Sequence, residues 1–180
     1  GETVEADVAK GRGRLVSVAK LSDERVEAPC GYFGKCGGCA LQHWAEAPYR
    51  AWKRQLVVDT LARRGLDGVE VMPLVNAHGT GRRRVTLSVE RGRAGFRAHR
   101  SHDLVAIDTC PVLDPALAQA VQIAEALAGA VGARKGMRVH LMATDSGIDC
   151  ELVDVDDPEL DARVKVAEVA EVFDLARVTA

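Results

Sequence analysis

Three cysteines fall within ten residues of one another, and a fourth follows much later, directly before a proline. Cys30, Cys36 and Cys39 have the spacing C-x5-C-x2-C, and Cys110 is the distant fourth. Thiolates bind soft and borderline metals, including zinc and the iron of iron–sulfur clusters. The pair Gly37–Gly38 lets the backbone turn closely around a bulky centre, because glycine has no Cβ to clash. The pattern therefore predicts a metal centre held by four thiolates.

Two other interpretations of these cysteines are open. A disulfide pair needs an oxidising compartment, but residues 1–10 are polar, carry three acidic side chains and do not resemble a signal peptide. The sequence also has no apolar run long enough to span a membrane, so we expect a cytoplasmic protein with no membrane partner. Clustered cysteines in such a protein indicate metal or redox chemistry. The second interpretation is a chance cluster of buried, unreactive thiols.

The identity of the metal is a separate question. Structural zinc sites usually have two short C-x2–4-C knuckles, whereas only Cys36 and Cys39 form one here. A remote cysteine before a proline is typical of iron–sulfur proteins. The spacing favours an iron–sulfur cluster, zinc stays open, and a radical iron–sulfur enzyme is disfavoured because a fourth thiolate closes the cluster to substrate. Cys150, in the strand-like stretch Ile148–Leu152, has no cysteine neighbour and is interpreted as a small buried hydrophobe.

Charge is unevenly distributed along the chain. Residues 30–100 carry 13 basic and 5 acidic side chains, a net of +8, and residues 101–180 carry 6 basic and 15 acidic, a net of −9. Residues 1–29 have a net charge of −1. A basic middle beside an acidic end indicates polyanion binding, and a solvated face paired internally with the acidic third is the alternative. Arg82, Arg83 and Arg84 open a predicted strand, where guanidinium groups are well placed to bind phosphate oxygens.

Hydrophobic periodicity predicts an α+β fold. Alternation predicts short strands in residues 1–29, which would form part of a small β-barrel. It predicts further strands within residues 82–107. Helices are predicted over residues 46–64, over residues 114–128 ending at Gly129 and Gly132, and from Asp157 to about Leu175. A hairpin is predicted from Met137–Met142 and Ile148–Val153. Alternation places Arg84 on the polar face of its strand and Arg83 on the side of Val85. Because a buried arginine needs a partner, a position of Arg83 just outside the sheet is the alternative.

Several stretches resemble the RNA uracil-5-methyltransferases, and in particular the branch with a 4Fe-4S cluster that acts on ribosomal or transfer RNA. Two departures are Gly81, where the family usually has an aromatic residue, and Val85, where it usually has alanine. The matching stretches are the cysteine loop itself with Ser22–Pro29, Cys39–His43, Tyr49–Lys53, Gly81–Val89, Gly95–Arg97, Ser101–Val105, Cys110–Leu113 and Ala176–Thr179.

The resemblance implies a domain plan and a chemistry. Residues 1–29 would be the C-terminal part of a TRAM-like barrel with an OB-like fold. Residues 30–110 would be the iron–sulfur segment with a basic helix and strands, and residues 111–180 the rest of a central α/β domain. A class I Rossmann-like methyltransferase domain that binds S-adenosylmethionine is expected in the full-length protein and not in this chain. In the family a cysteine attacks C6 of uracil and a glutamate helps to remove the C5 proton, and neither catalytic residue is assignable here.

The resemblance also implies roles for named residues and partners. Cys30, Cys36, Cys39 and Cys110 would hold the 4Fe-4S cluster. We expect RNA contacts, chiefly to phosphate, and assign them to four candidates. Ribosomal RNA is favoured over transfer RNA as the partner, and a monomer is expected. The alternative function is a non-catalytic nucleic-acid-binding module with a structural zinc held by the same four cysteines. The four candidates for RNA contact are Arg82, Arg84, Arg97 and His102.

Overall fold

The computed structural model describes residues 1–75, 81–133 and 136–180. Within these ranges it contains eight strands, three α-helices and one 3-10 turn at Pro115–Leu117, which confirms the predicted α+β class with about three helices. The strands are β1 Thr3–Ala9, β2 Arg12–Lys20, β3 Arg84–Glu90, β4 Arg93–Arg97, β5 Leu104–Ala106, β6 Met137–Thr144, β7 Gly147–Val153 and β8 Leu175–Thr179. The helices are α1 Glu46–Ala62, α2 Ala120–Ala130 and α3 Leu160–Val172.

The chain divides into two compact units. The first unit comprises residues 1–29 and 41–75, and the second comprises residues 30–40 together with the chain after residue 75. The cysteine loop therefore groups with the second unit, although the chain on both sides of it belongs to the first. The predicted domain boundaries at residues 29/30 and 110/111 stay predictions.

The first unit contains the β1–β2 hairpin and α1. The two strands are antiparallel, and the turn between them is made by Lys10 and Gly11, which both have positive φ angles. Arg25 pairs with Glu2 on the approach to the cysteine loop. In the described part of the chain, no helix has the length and apolar character needed to cross a membrane. The TRAM-like barrel stays a prediction.

The second unit is built on a six-stranded sheet in the order β5-β4-β3-β6-β7-β8. Neighbouring strands are antiparallel except β7 and β8, which are parallel. Val85, Leu87 and Val89 on β3 are buried while Arg84 and Thr86 are exposed, so the predicted alternation is confirmed. The buried side chains pack with the apolar side of α2 into one core. Burial of each large aliphatic side chain in such a core stabilises the fold by roughly 1.5–3 kcal/mol.

The predicted helix over residues 114–128 is instead two pieces. Asp114 accepts a hydrogen bond from the Ala116 N–H at 3.0 Å and so caps the 3-10 turn that begins at Pro115. The backbone then leaves helical geometry at Gln119, and α2 begins at Ala120. Gly129 lies inside α2 rather than ending it, and Gly132, with a φ of 62°, follows its end. Asp followed by Pro predicts this capped first turn. The apolar periodicity, however, does not reveal that the backbone leaves helical geometry at Gln119.

The prediction that the last helix reaches Leu175 is wrong. The α3 helix ends at Val172, and Asp174 has a φ of 50°, a left-handed conformation that stops a helix. Leu175 instead begins β8, which pairs with β7. In this strand Leu175 and Val178 pack against the core of the sheet, and that tertiary contact overrides the local helical pattern.

Candidate metal centre

The loop that carries the first three cysteines folds through successive tight turns. The backbone N–H of Phe33 donates to the carbonyl oxygen of Cys30 at 3.0 Å, and the N–H of Cys36 donates to that of Tyr32 at 2.9 Å. Gly34 between them has a φ of 84°, which is left-handed geometry that glycine adopts without strain. The sequence Cys-Gly-Tyr-Phe-Gly therefore curls Cys30 back toward Cys36.

The second half of the loop lies against the end of β4. The N–H of Gly37 donates to the Arg97 carbonyl oxygen at 2.9 Å, and Cys36 forms an antiparallel bridge with Ala98. A Cβ at position 37 would lie 2.7 Å from that oxygen, so only glycine allows this approach. The contact fixes the Cys36–Cys39 turn on the sheet.

Cys110 lies on a segment held by the chain just before β3. The Arg82 N–H donates to the Val112 carbonyl oxygen at 2.9 Å, and the Asp114 N–H donates to the Arg82 carbonyl oxygen at 3.0 Å. Gly81 makes this approach possible, because its Cβ would lie 2.5 Å from the Leu113 backbone. This contact gives a physical reason for glycine at a position where the resembled family usually has an aromatic residue.

The pKa of the Cys110 thiol is affected by the other three cysteines of the predicted site. Burial raises the pKa of the Cys110 thiol, the backbone N–H of Val112 lowers it, and the negative charges of Cys39, Cys30 and Cys36 raise it further. All four cysteines are partly buried and none is in a disulfide. The structure thus brings the cysteine loop and Cys110 into electrostatic contact within the second unit.

The Cys36 sulfur accepts a backbone hydrogen bond, as ligating thiolates commonly do. Gly38 donates its N–H to the Cys36 Sγ at 3.4 Å, from two residues further along the chain. The donor set is entirely thiol, which suits zinc or iron–sulfur iron. Among residues 1–75, 81–133 and 136–180, no three His, Cys, Asp or Glu side chains are already gathered as ligands of a single ion.

The four candidates for RNA contact have different surroundings. Arg82 and His102 are exposed, and no partner of either side chain is found within the described ranges. Arg84 is exposed on the sheet face and contacts the Met142 sulfur. Arg97 is already engaged, because its guanidinium binds the Glu90 carboxylate and the His102 carbonyl oxygen. Their contact with RNA stays a prediction.

Cys150 is buried as predicted, and Arg83 fits the second of its two predicted placements. Arg83 is exposed just before β3, and its side chain binds the carbonyl oxygen of Ala143 on β6 and the Asp145 carboxylate. Cys150 is buried, with 3% of its surface exposed. Burial, with a further contribution from Asp149, raises the pKa of its thiol to about 12, so the thiol is unreactive.

Sequence reasoning missed two features beside the thiols. Tyr32 in the cysteine loop hydrogen-bonds Asp108, two residues before Cys110, and no local pattern could pair residues so far apart. The exposed turn after β4 also carries His99 and Arg100 next to the bridge between Cys36 and Ala98. The run His-Arg-Ser-His after a strand was the available signal for this basic turn.

Comparison with known proteins identifies relatives over most of the chain. An uncharacterized RNA methyltransferase of Caulobacter vibrioides is 39% identical over 191 aligned residues, covering 99% of this chain and 46% of that protein. The 23S rRNA (uracil(1939)-C(5))-methyltransferase RlmD of Halomonas elongata is 36% identical over 82% of this chain and 33% of its own length. RlmD of Pseudomonas entomophila is 40% identical over 63% of this chain and 28% of its own length. No protein-family profile matches the chain.

The chain belongs to the RNA uracil-5-methyltransferase family. This confirms the family predicted from the sequence, while its 4Fe-4S branch stays a prediction. The chain spans less than half the length of each of these three relatives.

Proposed function

We propose that the full-length protein transfers a methyl group from S-adenosylmethionine to C5 of a uridine in RNA, with ribosomal RNA favoured over transfer RNA. The similarity to two 23S rRNA uracil-C5 methyltransferases supports this substrate. The present chain would supply the metal centre and part of the RNA-binding surface. Methyl transfer itself, with its cysteine nucleophile, glutamate base and S-adenosylmethionine site, is assigned to a Rossmann-like domain outside this chain. We assign the protein to the cytoplasm as a monomer.

Within this proposal, Cys30, Cys36, Cys39 and Cys110 hold a 4Fe-4S cluster. Its contribution when bound is structural, because four thiolate bonds join the loop to the Cys110 segment. Other residues of the chain position the cysteine loop for this role. Gly37 docks the loop on β4, and the Gly38 N–H donates a hydrogen bond to the Cys36 sulfur.

The same part of the molecule would bind RNA through its cations. Arg82 and Arg84 stand at the start of β3, and Arg97 and the exposed basic turn stand beside the docked cysteine loop. Phosphate contacts of this kind position RNA without reading its sequence. Cluster and RNA-binding surface would thus be coupled, because both depend on the same loop-to-strand contact.

Metal analysis of the full-length protein, purified without oxygen, tests the cluster. We expect about four irons and four sulfides per chain with the visible absorption of a 4Fe-4S cluster, all lost together in Cys110→Ala. Cys150→Ala is the matched control and should retain iron, because its thiol is buried in the sheet. One zinc and no sulfide would contradict the cluster and favour the alternative, a nucleic-acid-binding module with a structural zinc.

A methylation assay tests the reaction separately. Full-length protein with labelled S-adenosylmethionine and unmodified ribosomal RNA should place label at C5 of uridine. The present chain alone should neither bind S-adenosylmethionine nor transfer label. Binding of S-adenosylmethionine to this chain in a calorimeter would contradict the assignment of that site to another domain.

A further inference from the structure

The Tyr32 hydroxyl forms a reciprocal pair of hydrogen bonds with one residue. It donates to the Asp108 Oδ2 at 2.9 Å and accepts from the Asp108 backbone N–H at 3.0 Å. Tyr32 lies two residues after Cys30, and Asp108 lies two residues before Cys110. One oxygen atom therefore joins the two cysteine-bearing segments, and its removal breaks both bonds.

The partner of Tyr32 is itself held from the far side. Arg93 donates to the Asp108 Oδ1 at 3.1 Å and to the Glu125 Oε1 on α2, also at 3.1 Å. Glu125 also accepts the Ala94 N–H at 2.9 Å. The Tyr32 side chain packs against the buried core. A chain of side chains thus runs from α2 through Arg93 and Asp108 to the cysteine loop.

This attachment and the one at Gly37 secure opposite ends of the loop. The Gly37 N–H binds β4 at the Cys36–Cys39 end, through the backbone. Tyr32 acts at the Cys30 end, through a side chain. A loop held at one end alone would leave Cys30 free to move away from Cys110, which adds an ordering cost to metal binding.

We infer that Tyr32 is a positioning residue of the metal centre, which holds Cys30 beside Cys110 through Asp108 before and after the metal binds. The identity of the metal in this inference rests on the proposed function. The attachment of the loop through Tyr32 and Asp108 rests on the structure alone. Tyr32→Phe is the sharpest variant, because it keeps the ring that packs against the core and removes only the hydroxyl.

The first test measures iron release from the full-length protein, purified without oxygen, to a ferrous chelator. We expect Tyr32→Phe to release iron about tenfold faster than the wild type, by analogy with the smallest effect of removing a hydrogen bond that orients a metal ligand. Tyr49→Phe, at the other tyrosine of the chain, on α1 in the first unit, should match the wild type. Equal release from Tyr32→Phe and Tyr49→Phe would overturn the inference.

A second variant separates a specific pair from general weakening. Asp108→Ala removes the carboxylate that binds Tyr32 and Arg93 but keeps the backbone N–H, so it should also accelerate iron release. The double variant should be slower than the product of the two single effects, because both substitutions remove the same Tyr32–Asp108 side-chain bond. Rates that multiply in the double variant would show that the two residues act independently and would overturn the inference.

Amide hydrogen exchange on the metal-free full-length protein tests the attachment without any metal. The amides of Phe33 and Cys36 should exchange faster in Tyr32→Phe, while those of β3 and β6 are unchanged. If the wild type contains no iron, the proposed cluster fails but this measurement still decides the attachment. Unchanged exchange in the loop, or faster exchange throughout the sheet, would overturn the positioning role.

Discussion

The N–H of Gly37 donates to the carbonyl oxygen of Arg97 at 2.9 Å, so the Cys36–Cys39 turn lies directly against the end of β4. From the sequence alone, glycine at this position is explained by a tight turn around a metal centre. The structure gives a second reason, because a Cβ at position 37 would lie 2.7 Å from the Arg97 oxygen. Strand β4 therefore excludes a side chain at position 37 whether or not a metal is bound.

Gly37→Ala should therefore undock the loop. The added methyl group cannot fit without moving backbone, which costs more than a shift of a flexible side chain. Trypsin should cut faster after the exposed Lys35 in the loop, and the full-length protein should lose most of its iron. Gly31→Ala is the matched control in the same loop, because its Cβ would meet nothing within 4 Å. Wild-type cleavage and iron content in Gly37→Ala would contradict this account.

Arg82→Ala and Arg84→Ala should weaken RNA binding without changing its sequence preference. Each lost phosphate contact should lower the slope of log affinity against log salt by about 0.7 for single-stranded RNA. Filter binding at several salt concentrations measures both quantities. Arg163→Ala is the control, because Arg163 lies on α3 and is paired with Asp157. Unchanged affinity and slope in both variants would exclude these two arginines from the RNA-binding surface.

Arg97→Ala should act differently from the other two. Its guanidinium binds the Glu90 carboxylate and, at 2.6 Å, the His102 carbonyl oxygen. Removing it should loosen the basic turn and speed amide exchange there, in addition to any effect on RNA affinity. Arg97→Lys keeps the charge but not the fork of donors, so it should rescue RNA binding better than it rescues exchange protection. Full exchange protection in Arg97→Ala would contradict the structural role.

Cys150 should make the second unit less stable in alkali. Its thiol has a folded-state pKa of about 12 against an ordinary value of 9.0, so the folded state holds this proton more tightly. The resulting stability is complete below pH 9 and is lost as the pH rises toward 12. The free energy of unfolding should fall by up to about 1.4 kcal/mol per pH unit in this range. Urea unfolding at pH 8 to 10 should show a smaller decline in Cys150→Val, and parallel declines would contradict the assignment.

Glu2 should titrate far below an ordinary glutamate. The side-chain hydrogen bond from Arg25 lowers its pKa from 4.5 to about 2, against an opposing contribution from burial. The interaction therefore stabilises the first unit above pH 4.5 and is lost as the pH falls through 2. Carboxyl NMR titration should give this low value, and Arg25→Ala should return it toward 4.5. An unchanged titration in that variant would show that Arg25 is not the cause.

Local patterns predicted the parts of this fold that local physics controls. The alternation of Val85, Leu87 and Val89 identified the buried face of β3, because a strand repeats every two residues. The same reasoning could not find β8, whose partner β7 lies more than twenty residues earlier and is reached only after α3. It placed the end of the last helix at Leu175, where a left-handed Asp174 and a parallel pairing begin a strand instead.

The candidate metal centre also has features that the sequence predicts and features that it cannot predict. Cysteine spacing and the proline after Cys110 predict the four thiols as metal ligands, because metal donors are specified by residue type, and this role stays a prediction. The contacts that position them were not predictable, since Tyr32 and Asp108 are separated by 76 residues and neither has a distinctive sequence setting. The two partners of Arg97 within the protein were likewise not predictable from its sequence setting, and its predicted contact with RNA stays a prediction.

The chain separation between the thiols has one more consequence. Cys39 and Cys110 are 71 positions apart, and the chain between them includes α1 and strands β3 to β5. If the proposed cluster joins these two cysteines, the stretch between them becomes a closed ring. As long as the cluster stays bound, the unfolded chain then contains a loop and is not an open coil. By analogy with a disulfide, closing a ring of this size would reduce the entropy of the unfolded state by the equivalent of about 4 kcal/mol. Much of the stability supplied by the metal would then come from restricting what the protein can unfold into.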